Sequence, residues 1–296
     1  PPKGLRPTEV GTLIDTHVHN RDFAAAIVDL AVRGYIQIIE EKKEGLFGGK
    51  TYSLKKLKEA NDDLREYEKV ILKALFAKGS TESKFSKRKT ALIKARKEAG
   101  KLVYQDLADR GYYVRNPNKI RGLYFGIAIA ISIVGHMAGI FAIAFTGRPF
   151  VIIAGYASAI IVGIFAVVIP KKTPEGVRLF EHAKGFKEFL ETAEKYRIQW
   201  QEKEHVFESY LPYAMVFGVA DKWAKVFETT ETQSPSWYVG SSLAGFSPTT
   251  FSKDVSSFVS TVSKYSAPSS SSSSGGFSSG GGFSGGGFGG GGGGSW

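Results

Sequence analysis

The sequence predicts a mainly α-helical fold with a small β-wing, arranged as a winged-helix-like domain, a two-helix transmembrane hairpin, a helical module and a disordered tail. Three observations support this class: two long uncharged segments, a basic region before them that contains a repeat, and a Ser/Gly-rich end. The predicted boundaries are 1–121, 122–169, 170–233 and 234–296. The chain has 296 residues and no cysteine, which excludes disulfides and thiolate metal sites.

Two segments are long and apolar enough to cross a membrane. Residues 122–146 and residues 149–169 contain no charged side chain, and only Gly147 and Arg148 separate them. A spanning helix needs about 20 apolar residues, so the pattern predicts a tight transmembrane hairpin. A buried hairpin of a soluble protein is the alternative, but two neighbouring uncharged runs of this length are unusual in a soluble core.

Basic residues flank the hairpin unevenly. Lys119 and Arg121 precede the first segment, Lys171 and Lys172 follow the second, and the turn holds only Arg148. The positive-inside tendency therefore predicts that both soluble parts lie in the cytoplasm. Because the chain begins with Pro-Pro rather than Met, we expect it to be part of a longer protein.

Small residues recur at four-residue spacing inside both segments and predict the packing faces of the hairpin. They are Gly135, Gly139, Gly155, Ala159 and Gly163. Packing within the hairpin is favoured over oligomerisation, and the oligomeric state stays open. An ionisable residue at this depth, such as His136, is a functional candidate. A neutral His136 that hydrogen-bonds a carbonyl across the helix pair is the favoured interpretation.

A short repeat organises the region before the hairpin, whose 26 basic and 16 acidic residues carry most of the net charge of +11. Residues 29–35 read DLAVRGY, and residues 106–112 read DLADRGY. In each copy a helical pattern ends at a glycine that suits a left-handed cap, and a β-prone stretch follows.

The repeat predicts two related winged-helix-like units, about 1–58 and 62–116. In the first, Thr8 and Asn20 are expected to cap two short helices, and a hairpin follows over residues 35–57. In the second, helices are expected near 65–78 and 88–110, followed by a stunted wing.

The stretch TLIDTHVHN, residues 12–20, matches the Asp-x-His-x-His start of many metal-dependent amidohydrolases. Those enzymes place the histidines on a strand of a barrel of roughly 250 residues, with further ligands on later strands. No barrel fits before residue 122, and the remaining histidines lie in or beyond the hairpin. We therefore expect Asp15, His17 and His19 to form a polar turn between helices, and we predict no metal or cofactor.

Basic side chains are dense in residues 84–101, where eight stand against the single acid Glu98. We expect a patch that faces an anionic inner leaflet, where each basic side chain contributes about 1 kcal/mol. A solvated helix face is an equally open alternative. The members of this basic patch are Lys84, Lys87, Arg88, Lys89, Lys94, Arg96, Lys97 and Lys101.

Nucleic-acid binding ranks third for this region. Winged helices read DNA through basic or amide side chains of their second helix. The corresponding helix here carries a balanced set of charges on an Ala-rich surface: Arg21, Asp22, Asp29 and Arg33. Such a surface suits groove reading poorly.

After the hairpin, Pro174 and Glu175 suit the start of a helix. Its apolar stripe consists of Leu179, Phe186, Phe189, Leu190 and Tyr196. A second helix is predicted near 202–229, where Pro212 should kink or restart it. The apolar stretch 210–220 is expected to pack on its partner helix, with an interfacial helix as the alternative.

Residues 268–296 consist mainly of Ser and Gly and predict a disordered tether. The alternative is that its aromatic residues act as weak stickers for partners or for self-association. These residues are Phe277, Phe283, Phe288 and Trp296.

Five motifs carry a family resemblance: GLRPTEVGTLID (4–15), DLAVRGY (29–35), GFKEFLETAE (185–194), FESYLPYAMVFGVADKWAKVF (207–227) and PSWYVG (235–240). Together they resemble the C-terminal part of the YciQ-like bacterial predicted membrane proteins, over essentially the whole chain. The resemblance implies an upstream signal peptide, an extracytoplasmic β-rich domain and another transmembrane helix. It implies no reaction and no catalytic residue, because the family is a group of unknown function.

The sequence contains no phosphate-binding loop, nucleophile elbow or acid–base pair that we recognise. We therefore expect a scaffold or interaction module at the cytoplasmic face of the bacterial plasma membrane, and not an enzyme. Its expected partners are anionic membrane lipids and an unidentified protein. A membrane-bound DNA-binding regulator is the alternative.

Overall fold

The computed structural model describes residues 1–42, 50–192, 206–228, 234–240 and 246–267. Ten α-helices lie in these ranges. Before the apolar hairpin come α1 (Pro7–Asp15), α2 (Asn20–Val32), α3 (Glu66–Leu75) and α4 (Lys89–Asp109). The hairpin itself consists of α5 (Pro117–Thr146) and α6 (Phe150–Val168). After it come α7 (Pro174–Thr192), α8 (Val206–Phe217), α9 (Ala220–Val226) and α10 (Pro248–Ser266).

Four short strands form one mixed sheet in the order β3-β2-β1-β4. They are β1 (Ile36–Lys42), β2 (Lys50–Lys56), β3 (Glu82–Lys84) and β4 (Tyr238–Val239). β1 and β2 pair antiparallel as the expected hairpin, β3 adds antiparallel to β2, and β4 adds parallel to β1. Because β3 and β4 come from outside the first predicted unit, this sheet is larger than a wing, and the architecture does not establish a winged helix.

Three helices begin with the same backbone-to-carboxylate hydrogen bond. The backbone N–H of the residue before the helix donates to a carboxylate three positions later, which satisfies one of the free donors at a helix start. The bonds run from Arg6 to Glu9 (3.1 Å), from His19 to Asp22 (2.7 Å) and from Arg65 to Glu68 (2.8 Å). The predicted caps were therefore wrong: the Thr8 hydroxyl instead donates to the carbonyl of Asp22 and ties α1 to α2.

The two DLxxRGY copies end their helices alike. Gly34 and Gly111 take φ values of +76° and +75°, a region that suits glycine. In the first copy the carbonyl of Tyr35 accepts from the N–H of Leu57, across the β1–β2 hairpin. In the second copy the carbonyl of Tyr112 accepts from Thr173, and Tyr113 forms an antiparallel bridge with Lys172. The backbone partners of the second copy therefore come from residues that follow the apolar hairpin.

A second repeated motif, Leu-Arg-x-x-Glu, precedes each DLxxRGY copy at residues 5–9 and 64–68. The glutamate of each copy forms ion pairs with arginines of the other copy. Glu68 pairs with Arg33 at 2.5 Å and with Arg6 at 3.8 Å.

Glu9, from the first copy, makes the corresponding ion pairs with arginines of the second copy. Its carboxylate lies 2.9 Å from Arg110 and 3.4 Å from Arg65, and its side chain is fully buried. Burial raises the pKa of Glu9 and Glu68, while the facing arginines oppose that rise. This reciprocal ion-pair network joins α1 and α2 to α3 and α4.

Asp22 is a buried carboxylate whose Oδ1 lies 3.9 Å from Nε of Arg21. Its Oδ2 accepts from His19, whereas its Oδ1 has no hydrogen-bond partner among the described residues. Burial raises the pKa of Asp22 to about 7, and the nearby Asp15 adds to the shift. The ionised form is therefore disfavoured in the folded state.

We expect Asp22→Asn to stabilise the protein progressively more as pH rises from about 4 to 7. The folded pKa lies above the ordinary unfolded value, so wild-type stability from this group is complete below about pH 4 and is lost toward pH 7. Asparagine keeps the cap acceptor and never ionises, so the difference between variant and wild type should grow by on the order of 3 kcal/mol. Chemical denaturation of the full chain at several pH values measures it, and a difference that stays flat over this range would contradict the assignment.

Segments from both sides of the hairpin share one hydrophobic core. α8 packs against α1 and α2, and α10 packs against α2, α4 and α9. The helices of 170–233 therefore pack against helices that precede the hairpin and do not form the separate module that was predicted. The stretch 210–220 is largely buried, as its expected packing requires.

Two further predictions about the C-terminal part were wrong. The helix expected near 202–229 continues through Pro212 and breaks at Gly218, which takes φ +71°. Disorder was predicted from residue 234, yet β4 and α10 lie in this region. The predicted tether, 268–296, and Tyr196 of the expected α7 stripe lie outside the described residues.

Candidate membrane-surface site

α5 and α6 are two candidate membrane spans that pack against each other as an antiparallel hairpin. Most of their surface is exposed and apolar, whereas a core helix of a soluble protein would be buried. Gly135 and Gly155 meet backbone to backbone: a Cβ on Gly135 would lie 2.7 Å from the Cα of Gly155. A Cβ on Gly139 would overlap the side chain of Ile152 and would lie 2.9 Å from its backbone nitrogen, and Ala159 is half-buried. A Cβ on Gly163 would meet no atom within 4 Å, so this residue lies outside the seam.

We expect Gly135→Val to destabilise the hairpin by about 1–3 kcal/mol, the usual cost of overpacking. The facing atoms belong to backbone and cannot rotate away. Gly126→Val is the matched control, because a Cβ on Gly126 would meet nothing within 4 Å. Unfolding of the full chain in detergent compares the two, and equal midpoints would contradict the seam.

His136 contacts the opposite helix, but its partner is a tyrosine hydroxyl and not the expected carbonyl. Its Nδ1 lies 3.1 Å from the hydroxyl of Tyr156, and the two rings meet edge to face. This contact joins the two helices beside the glycine seam.

The two ends of the hairpin enter the same folded body. The Tyr113–Lys172 bridge joins the residues that lead into α5 and out of α6. Arg121, in the second turn of α5, donates to the carbonyl of Thr16 at 2.7 Å. Tyr113 donates to the carbonyl of Thr12 in α1 at 3.1 Å, so both α1 and the turn after it contact the base of the hairpin.

The TLIDTHVHN stretch forms this turn. Thr16 takes φ +63°, which is uncommon for a β-branched residue. Nε2 of His19 lies 2.9 Å from Asp15, and Arg21 lies 3.4 Å from the same carboxylate oxygen. Within the described ranges, no cluster of three or more His, Asp or Glu side chains is arranged to hold a metal ion.

The basic patch divides into three groups in the structure. Some members are used by the fold: Lys84 pairs with Glu41, and Arg88 donates to the carbonyls of Ala74 and Phe76. Lys87, Lys89 and Lys94 line an open depression of about 420 Å³ at the start of α4. The remaining members, Arg96, Lys97 and Lys101, lie nearer to α5.

Arg96, Lys97 and Lys101 line an open cleft of about 550 Å³ between α4 and the first turn of α5. We call it the α4–α5 cleft. Its other lining residues are Val18, Ile93, Gly100, Tyr104 and Asn118. The cleft contains three basic side chains and no acidic one, so it can hold an anion.

The cleft combines residues that are far apart in sequence. Val18 comes from the turn between α1 and α2, and Tyr104 fixes that turn because its hydroxyl accepts from the N–H of Val18 at 3.1 Å. Density of charge in 84–101 indicated the basic members, but no local signal indicated Val18 or Asn118. The i, i+4 spacing of Lys97 and Lys101 places these two side chains on one face of α4, which is a second local pattern that marks the cleft.

A family model described as the predicted membrane protein (DUF2207) C-terminal domain matches residues 1–227. The match contains both candidate spans, the repeated motifs and the α4–α5 cleft, and it confirms the resemblance over residues 1–227, which leaves the motif PSWYVG outside the matched range. Comparison with curated proteins and with solved structures found no match. Because the matched residues make up well over half of the chain, the protein belongs to this family of predicted membrane proteins.

Proposed function

We propose that this protein is a membrane-anchored scaffold or interaction module whose folded part rests on the anionic cytoplasmic face of the bacterial plasma membrane. The observation that carries the proposal is the junction at Tyr113 and Lys172, where both ends of the hairpin enter one folded body. Because both ends of the hairpin are attached to it, such a body would be held on one side of the membrane and close to its surface.

The charge distribution supports the orientation. Arg115, Lys119, Arg121, Lys171 and Lys172 surround the base of the hairpin, while its turn carries only Arg148. Basic residues near the ends of spans favour the cytoplasmic side. The exposed lysines of α4 extend the same basic surface away from the hairpin.

The alternative DNA-binding regulator has no comparable support. Helix α2 would be the reading helix, but its residues from Asp22 to Ala31 are buried in the core. Arg33, just after this helix, is paired with Asp29 and Glu68. A helix in this position cannot enter a groove without unfolding its surroundings.

Hydrogen exchange of the full chain in lipid nanodiscs tests the proposal. We expect α4 amides to exchange more slowly in discs that contain phosphatidylglycerol than in phosphatidylcholine discs, with α3 unchanged as the internal control. At about 1 M salt, where charges are screened beyond roughly 3 Å, the difference should disappear. Identical exchange of α4 in both lipids, or an equal change in α3, would contradict docking through α4.

A further inference from the structure

We propose that the α4–α5 cleft binds the phosphodiester headgroup of a single anionic phospholipid. The inference deepens the proposed function and rests on it, because the cleft reaches a lipid only if the folded body lies on the membrane surface. It replaces a diffuse attraction between the basic patch and the leaflet with one discrete site.

The chemistry of the cleft favours an anion. No carboxylate within the described part of the chain lies within salt-bridge distance of Arg96, Lys97 or Lys101. Arg96 is positioned by the side chain of Asn20, which accepts from its Nη1. Its buried Nε has no hydrogen-bond partner among the residues that the structure describes. Because Arg96 lines the cleft, a phosphate oxygen there is a suitable acceptor for the N–H groups of its guanidinium that the cleft exposes.

The position of the cleft favours a lipid over a free phosphate. Asn118 lies four residues before Gly122, the first residue of the uncharged run, which corresponds to about 6 Å along the helix. The polar layer on each side of a bilayer is roughly 5–7 Å thick, so the cleft opens at headgroup depth. Half-buried Ile93 and Val18 supply apolar contacts for the part of the lipid below the phosphate.

The same charges select among headgroups. Three cationic side chains repel the trimethylammonium of a choline headgroup, whereas they leave a glycerol headgroup free to enter. The depression at the start of α4 lacks this geometry: Lys89 lies about 18 Å along α4 from Lys101, and no α5 residue lines it. It therefore provides a control in which two lysines can be neutralised outside the cleft.

Native mass spectrometry of the full chain in an uncharged detergent tests the site. The protein is titrated with phosphatidylglycerol and, separately, with phosphatidylcholine of the same acyl chains. We expect one tightly bound phosphatidylglycerol per chain and weaker binding of phosphatidylcholine. Lys97→Gln/Lys101→Gln should weaken the first phosphatidylglycerol by about thirty-fold, the loss that two basic side chains at an anionic surface predict.

The matched control is Lys87→Gln/Lys89→Gln, which removes the same charge from exposed residues outside the cleft and should change affinity by less than about twofold. If both double variants weaken binding equally, or if the cleft variant has no effect, the discrete site is wrong while inner-leaflet docking stands. If wild type shows no preference for phosphatidylglycerol, lipid docking fails as well. Competition by millimolar inorganic phosphate at the cleft would overturn the lipid assignment in favour of a soluble anion.

Discussion

Replacing Phe258 by alanine is expected to lower the free energy of unfolding by about 3–5 kcal/mol, the usual cost of truncating a fully buried aromatic side chain. Phe258 lies on α10, is 1% exposed and packs edge to face on Tyr52 and Phe85. Tyr52 also donates to the carbonyl of Asp254, so the same helix is bound to β2 by a hydrogen bond. Denaturation of the full chain in detergent, followed by near-UV circular dichroism, measures the loss.

Lys253→Ala is the control for this prediction. Lys253 lies on the exposed side of the same helix, and surface substitutions of this kind usually change stability by less than about 0.5 kcal/mol. If Phe258→Ala behaved like Lys253→Ala, α10 would not be part of the core, and the expected disorder from residue 234 would stand.

Glu68→Gln is expected to cost about 1.5–3 kcal/mol, the usual contribution of a hydrogen bond to a charged group, because it removes one of the two buried carboxylates that pair with Arg33 and leaves only Asp29. The side chain of Glu68 is 1% exposed and lies 2.5 Å from Arg33. Its partner in the reciprocal network, Glu9, should respond in the same direction through Arg110. The loss is measured as the change in unfolding midpoint and slope in urea.

The neighbouring Glu66 offers a matched comparison. It is 73% exposed and pairs with Lys69 one turn along α3. Exposed pairs of this spacing contribute only about 0.3–0.5 kcal/mol, so Glu66→Gln should be nearly silent. A double variant, Arg33→Met/Glu68→Leu, should lose less than the sum of its single variants, and additive losses would show that the two side chains do not act as a pair.

Local patterns were sufficient for the elements that a short window specifies. The uncharged runs predicted α5 and α6, and α1, α3 and α4 begin and end within a few residues of their predicted limits. The hairpin of β1 and β2 followed from two β-prone runs around a Gly-rich turn. In each of these cases the deciding information, hydrophobic period or turn chemistry, lies within one segment.

Helix α10 was missed because its Ser/Thr-rich composition concealed the helical spacing of its apolar residues. Its apolar residues Phe251, Val255, Phe258 and Val262 follow helical spacing and are all buried. Serines and threonines occupy most of the remaining positions, and next to the Ser/Gly-rich end they favoured a prediction of disorder. The stripe itself was the signal that could have found the helix.

The ion-pair network and the α4–α5 cleft could not be predicted from local patterns, because they join distant residues. The DLxxRGY copies were visible, but the exchange of Glu9 and Glu68 between copies depends on how four helices pack. The cleft likewise needs Val18, Lys97 and Asn118 to meet. Sequence indicated which charges were present, while packing decided which of them the fold neutralises.

Membrane topology tests the central claim most directly. The chain has no native cysteine, so Ser86→Cys, Thr146→Cys and Ser260→Cys can be introduced one at a time into the full chain. In intact cells, a membrane-impermeant maleimide should label only the variant at Thr146, in the hairpin turn, and all three should react after permeabilisation. Labelling at Ser86 and Ser260 without Thr146 would place the folded body outside the cytoplasm and contradict the proposed function, and opposite results at Ser86 and Ser260 would contradict their shared core.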